Sequence, residues 1–131
     1  MALKKREEWK LSECETLIMK VIWDAEEDIC IYDIWETMRD RYGKEYVIQT
    51  IRTFLFDLSK KGFVTTHRKG RISYAHALKS EQEYREMLLK EEVKFWHKGR
   101  PGLLVAALSD VMEFSKEDTE EIRRIIDAMD D

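Results

Sequence analysis

Apolar positions along the chain change rhythm several times, and each change marks an element. Leu17, Ile18, Val21 and Ile22 recur at helical spacing behind Ser12-x-x-Glu15. That four-residue pattern is a capping box, in which a hydroxyl and a carboxylate satisfy N–H groups at a helix start. It predicts a first helix ending near Trp23. A short apolar run over residues 29–31 reads as a single strand. Ile34, Trp35 and Met38 then point inward from a second helix that stops at Gly43. The stretch IQTIRTFLFDLSKKGF, residues 48–63, predicts a third helix ended by Gly62. At 100° per residue its Ile48, Ile51, Phe54, Leu55 and Leu58 fall within about 120° of one another, which makes that side core.

Alternation replaces helical spacing after residue 63. Residues 63–66 and 72–77 are strand-like, and HRKGR between them is a basic turn in which Gly70 supplies a permissive backbone. Ser80-x-x-Glu83 opens a further helix with Tyr84, Leu88, Phe95 and Trp96, whose apolar positions spread over more than one face. Pro101-Gly102 breaks the chain, LLVAALSDVM makes an almost wholly apolar helix, and Ser115-x-x-Asp118 caps a last one. That final helix carries Ile122, Ile125, Ile126 and Met129 on one side and acids on the other.

The fold class that follows is mainly α with a small β-hairpin wing. Three helices followed by a hairpin is the order of a winged helix-turn-helix, whose third helix enters the DNA major groove. We divide the chain into a winged-helix DNA-binding domain, 1–79, and a helical dimerisation region, 80–131. The polar face of the third helix fits such a use. Gln49, Thr50 and Thr53 are short enough for close approach to base edges. Arg52, Lys60, Lys61 and the wing residues Arg68, Lys69 and Arg71 then suit phosphates. An ordinary solvated helix beside a basic hairpin is the plainer alternative. A winged-helix protein-interaction module without operator binding is another.

Charge strengthens the division into two jobs. The chain of 131 residues has a net charge of −4, yet residues 39–71 hold nine Lys and Arg against three acids. From residue 103 onward nine acids stand against three bases. DNA repels an acidic, apolar-striped segment, so its apolar faces suit protein, most simply a second copy. Tyr84, Leu88, Phe95, Leu104, Leu108, Ile122, Ile125 and Ile126 are the expected homodimer interface. A two-fold dimer would meet an inverted-repeat, double-stranded DNA operator.

Other chemistry is sparse. Cys14 and Cys30 read as buried thiols, and His67, His76 and His97 do not combine with them at zinc-ligand spacing. Neither a metal nor a cofactor is expected. No Ser–His–Asp set, phosphate loop or catalytic carboxylate pair stands out, so the chain is not read as an enzyme. No apolar run approaches the roughly 20 residues that span a bilayer, and MALKKREEWK lacks a secretory apolar segment, which predicts a cytoplasmic protein.

The segments LSECETLIMKVIW, TIRTFLFDLSKKGF, HRKGRISYAHAL and LLVAALSD resemble, in one register, the BlaI/MecI/CopY family of penicillinase-type repressors. The resemblance implies a homodimeric winged-helix repressor acting at inverted repeats, with C-terminal helices as the dimer interface. Carried over by position, Gln49, Thr50 and Thr53 read bases and Arg52 meets phosphate. In β-lactam-responsive relatives a membrane metalloprotease sensor system triggers cleavage in the first apolar helix after the glycine-rich break. The aligned bond here is Ala107–Leu108, for which dimer core alone is the plainer role. The chain departs from the family pattern at Thr16, where relatives often have Trp, and at Asp57, where many have Arg or Lys. No cysteine follows Cys30, so the copper-responsive branch, with its C-terminal cysteine cluster, does not fit.

Overall fold

The computed structural model describes residues 9–130. Most of the N-terminal stretch searched above for a leader lies outside them. In chain order the elements are α1 (Glu13–Asp24), β1 (Ile29–Cys30), α2 (Ile31–Tyr42), α3 (Ile48–Lys60), β2 (Val64–Lys69), β3 (Ile72–Ala77), α4 (Glu81–Trp96), α5 (Pro101–Val111) and α6 (Lys116–Asp130). Among the described residues no helix is long and apolar enough to cross a membrane.

Local chemistry sets the boundaries. The Ser12 hydroxyl accepts the Glu15 N–H at 3.2 Å while the Glu15 carboxylate accepts the Ser12 N–H at 2.8 Å, so the capping box closes in both directions. Ser80 with Glu83, and Ser115 with Asp118, repeat the device at α4 and α6. At the end of α2, Gly43 takes φ 66°, a left-handed conformation that lets its N–H and that of Lys44 return to the carbonyls of Arg39 and Met38.

The chain forms two compact units, one running to Leu88 and the other starting at Leu89. In the first, α1, α2 and α3 enclose Ile18, Met19, Ile34, Met38, Ile51 and Leu58, all without solvent contact. Burying each such side chain is worth about 1.5–3 kcal/mol. Phe63 and Val64 extend this core to a three-stranded antiparallel sheet of order β1-β3-β2. The single strand expected near residue 29 is β1, which pairs Ile29 with Ala75 and Cys30 with Tyr74. The architecture is a winged helix-turn-helix, with α2 and α3 as the turn unit and β2–β3 as the wing.

Two expectations change. The first wing strand runs further than expected, to Lys69, while β3 spans Ile72–Ala77 as expected, so His67, Arg68 and Lys69 belong to β2 and the turn is only Gly70 and Arg71. Gly70 has φ 66°, the positive value that two-residue hairpin turns require. The expectation that Tyr84 serves a dimer interface is also corrected. It is 3% exposed, with its ring edge-on to Phe63 at 5.4 Å and its hydroxyl accepting the Leu11 N–H at 2.9 Å. Trp23 donates to the Lys79 carbonyl at 2.8 Å and Lys20 pairs with Glu81 at 3.0 Å. The start of α4 is thus bound to the first unit, and Leu88 is half-buried against the same core.

The second unit is different in kind. Neither α5 nor α6 has a buried residue. Leu104, Ala107 and Ile122 are half-buried, whereas Phe95, Leu108, Ile125 and Ile126 are exposed.

Candidate nucleic-acid interface

Helix α3 turns Ile51, Leu55 and Leu58 into the core, and Ile48 and Phe54 pack at its margin. The direction opposite that core is occupied by Gln49, Thr53, Phe56 and Lys60, spaced four, three and four residues apart and all exposed. Thr50 and Arg52 flank this stripe on opposite sides and are half-buried. The Thr53 hydroxyl donates to the Gln49 carbonyl at 3.1 Å, which leaves its oxygen lone pairs and methyl group turned outward. Val47 precedes α3 without a side-chain cap, and no acid occupies the first turn. That helix end therefore favours an anion.

The cations of residues 39–71 separate into two groups. Arg39 is tied to Asp40 and Arg41 to Asp24, each at 3.0 Å. Lys61 is tied to Glu15 at 2.6 Å and also donates to the Lys10 carbonyl at 3.3 Å. These three are held by the fold. By contrast Arg52, Lys60, Arg68, Lys69 and Arg71 make no ion pair among the described residues. All five lie on α3 or the wing. Lys44, in the turn before α3, is the remaining cation of the nine and also makes no ion pair among the described residues, so most of the uncompensated positive charge lies beside the outward stripe. Lys61, expected to suit a phosphate, has its ammonium on a carboxylate that is 6% exposed.

Burial is the largest influence on the Glu15 carboxyl and opposes its ionisation. The hydrogen bond and charge of Lys61, with the Ser12 N–H and hydroxyl, together outweigh it and hold Glu15 below the ordinary glutamate range. Asp57, the residue least suited to a phosphate-facing surface, shares a half-open cleft with Ser12, Glu15, Phe54, Lys60 and Lys61. It is half-buried there, on the α1 side of the helix, and makes no ion pair among the described residues.

The wing carries a contact that spacing did not reveal. Asp28 accepts from or pairs with both His76, at 2.7 Å, and His67, at 3.4 Å, so one carboxylate spans β2 and β3. The hydrogen bond to His76 lowers the Asp28 carboxyl below its ordinary range, burial opposes this, and the charges of His76, His67 and Lys69 add to the lowering. Tyr74 sits beneath, with His67 stacked on it at 5.8 Å and the Lys69 ammonium 4.9 Å from its ring centre. These contacts stiffen the base of the cationic tip. Among the described residues no cluster of His, Cys, Asp or Glu is arranged to hold a metal ion. Cys14 and Cys30 are half-buried instead of fully enclosed, and the Cys14 thiol lies 2.9 Å from the Tyr46 hydroxyl in the turn before α3. That hydrogen bond, then burial, raises the Tyr46 hydroxyl to about 12.

Phe56 is the residue of this surface that sequence reading passed over. At 100° per residue it falls at the flank of the polar arc, and its ring is 63% exposed. The signal available was an aromatic at i+3 from Thr53 and i+7 from Gln49.

Residues 11–128 match the model of the penicillinase repressor family. The methicillin resistance regulatory protein MecI of Staphylococcus aureus strain N315 is 25% identical over 118 residues, which cover 90% of this chain and 94% of MecI. MecI of Staphylococcus epidermidis and of Mammaliicoccus sciuri match over the same shares at the same identity. A solution structure of the monomeric form of Bacillus licheniformis BlaI in complex with the blaP half-operator is 28% identical, with a TM-score of 0.47 over 57% of this chain and 88% of that one.

Proposed function

The chain belongs to the penicillinase repressor family and is a repressor of the BlaI/MecI type, and from that premise we propose that it binds double-stranded DNA sequence-specifically, as a homodimer on an inverted-repeat operator. The observation that carries this is the segregation of charge. Cations held by carboxylates lie away from the outward stripe of α3, and five of the six unpaired ones lie on α3 or the wing, with Lys44 in the turn before α3. Gln49 and Thr53 then read base edges, with Thr50 at the margin, since Gln suits adenine and Thr either a base or a phosphate. Arg52, Lys60, Arg68, Lys69 and Arg71 neutralise phosphates, which sets register and affinity without selecting sequence.

The second unit supports the dimer. Helices with no fully buried residue suit another surface, and α5 and α6 offer Leu104, Leu108, Ile122, Ile125 and Ile126 for one. Phe95 at the end of α4 belongs to the same set. Two-fold pairing brings two α3 helices to two half-sites and doubles the phosphate contacts. Derepression follows, in this reading, from a cut at Ala107–Leu108 by a membrane metalloprotease sensor system. The bond lies inside α5, so severing it divides the apolar surface on which pairing depends.

Duplex binding measured as salt is varied tests the reading. Binding weakens steeply with salt and favours the inverted repeat over its scrambled counterpart. Thr53→Ala relaxes sequence choice, whereas Lys69→Ala weakens all duplexes alike and reduces the salt slope by about one per chain. A flat slope with no preference for the repeat identifies a protein-interaction module instead.

A further inference from the structure

The outward stripe of α3 contains one residue that phosphate binding does not use. Phe56 lies between Thr53 and Lys60 along the helix, at the wing-side edge of the outward arc, about 130° round the helix from Ile51, Leu55 and Leu58. The stripe is otherwise polar, and this aromatic side chain is left 63% exposed at its edge. Among the described residues the Lys60 ammonium lies 5.2 Å from its ring centre. On the other side, Phe56 borders a cleft shared with Arg52 on α3 and with Thr66 and Ser73 on the wing strands.

We propose that Phe56 is a base-reading residue that selects a thymine in each half-site by packing on its C5-methyl group. The inference rests on α3 being the reading helix. In the major groove every base edge presents hydrogen-bond donors or acceptors, and thymine alone adds an apolar group. An aromatic ring on this stripe therefore has a single favourable counterpart. Lys60 fits the same arrangement: its ammonium, steadied against the ring, extends to the phosphate beside the base that the ring contacts. Phe56 thus adds an apolar contact to the hydrogen bonds supplied by Gln49 and Thr53.

The test removes the methyl group and leaves everything else. A duplex is enriched from a random-sequence library with the full-length protein, and each thymine is replaced in turn by deoxyuridine. At one position per half-site the replacement weakens wild-type binding by roughly fourfold, the value of burying one methyl-sized group. Phe56→Ser binds the thymine and deoxyuridine duplexes equally at that position, while Phe56→Leu, still apolar, retains the preference. Because the ring is exposed, both variants keep the wild-type melting temperature, which verifies that they fold. If no thymine methyl matters, or if Phe56→Ser keeps the full deoxyuridine penalty, the inference is overturned and specific binding through Gln49 and Thr53 stands. If the library yields no enriched sequence, the reading of α3 falls and this inference falls with it.

Discussion

The Lys61 ammonium lies 2.6 Å from the Glu15 carboxylate and joins the turn after α3 to the first turn of α1. Glu15 is almost wholly enclosed, and Lys61 is 25% exposed. The carboxylate also holds the Ser12 N–H, so a single group caps α1 and fixes where α3 ends. The neighbouring Lys60 points outward and lies over the Phe56 ring. Two consecutive lysines therefore meet different surroundings, and on the proposed reading they act on different properties, one on stability and the other on binding.

Replacing each lysine separates those properties. Lys61→Ala strands a buried carboxylate and lowers unfolding free energy by about 2 kcal/mol, less than for a fully enclosed pair because the lysine is partly solvated. Lys60→Ala leaves stability within about 0.5 kcal/mol but weakens duplex binding and lowers its salt slope by about one per chain. Urea unfolding and salt titration of both variants check this. Equal loss of stability in the two would contradict the inward placement of Lys61.

The same pair sets an acid limit. The Glu15 carboxyl is lower in the folded chain than in the unfolded one, so the unfolded state binds its proton first as pH falls. Its contribution is complete above the ordinary glutamate value of about 4.3 and is lost as pH falls through the lowered folded value. Glu15→Gln lacks that titration. Its stability therefore lies below wild type at neutral pH, and the gap closes in acid below pH of about 4. Unfolding free energies of both proteins across that range provide the measurement, and a gap that stays constant would remove Glu15 from the acid response.

Much of the fold was legible because its determinants are local. Three Ser-x-x-acid boxes and Gly43 announced helix ends, and the apolar spacing of residues 48–58 identified which side of α3 is core. Periodicity gives a face but not what the face meets. Tyr84 and Ile125 both occupy apolar stripes, yet Tyr84 is filled by Phe63 and Leu11 whereas Ile125 remains exposed. Lys60 and Lys61 are adjacent in sequence, and only the position of α1 decides that Glu15 takes the second. The link from Asp28 to His67 and His76 depends on strand register, which brings together residues 39 or more positions apart.

Tyr84 supplies a test of that distinction. Tyr84→Phe keeps the ring against Phe63 and removes the oxygen that accepts the Leu11 N–H. A buried donor without a partner costs about 1–2 kcal/mol, so the melting temperature falls. Association is unaffected, because the hydroxyl is spent within the chain. A variant that keeps wild-type stability but changes its sedimentation would return Tyr84 to the interface.

The complementary substitution lies in α6. Ile122, Ile125, Ile126 and Met129 form an apolar stripe, and the last three are exposed within a single chain. Introducing a carboxylate there, as Ile122→Asp or Ile126→Asp, leaves the winged-helix core unchanged because neither residue contributes to it. In a dimer the new charge is desolvated without a partner, and two-fold symmetry brings its copy close by, so the association is penalised from both sides. Sedimentation is expected to shift from dimer to monomer while the unfolding of the first unit is preserved. Loss of pairing then separates the two reading helices, and binding to the inverted repeat falls toward that of a single half-site. An unchanged sedimentation profile would place the dimer contact elsewhere than on this stripe.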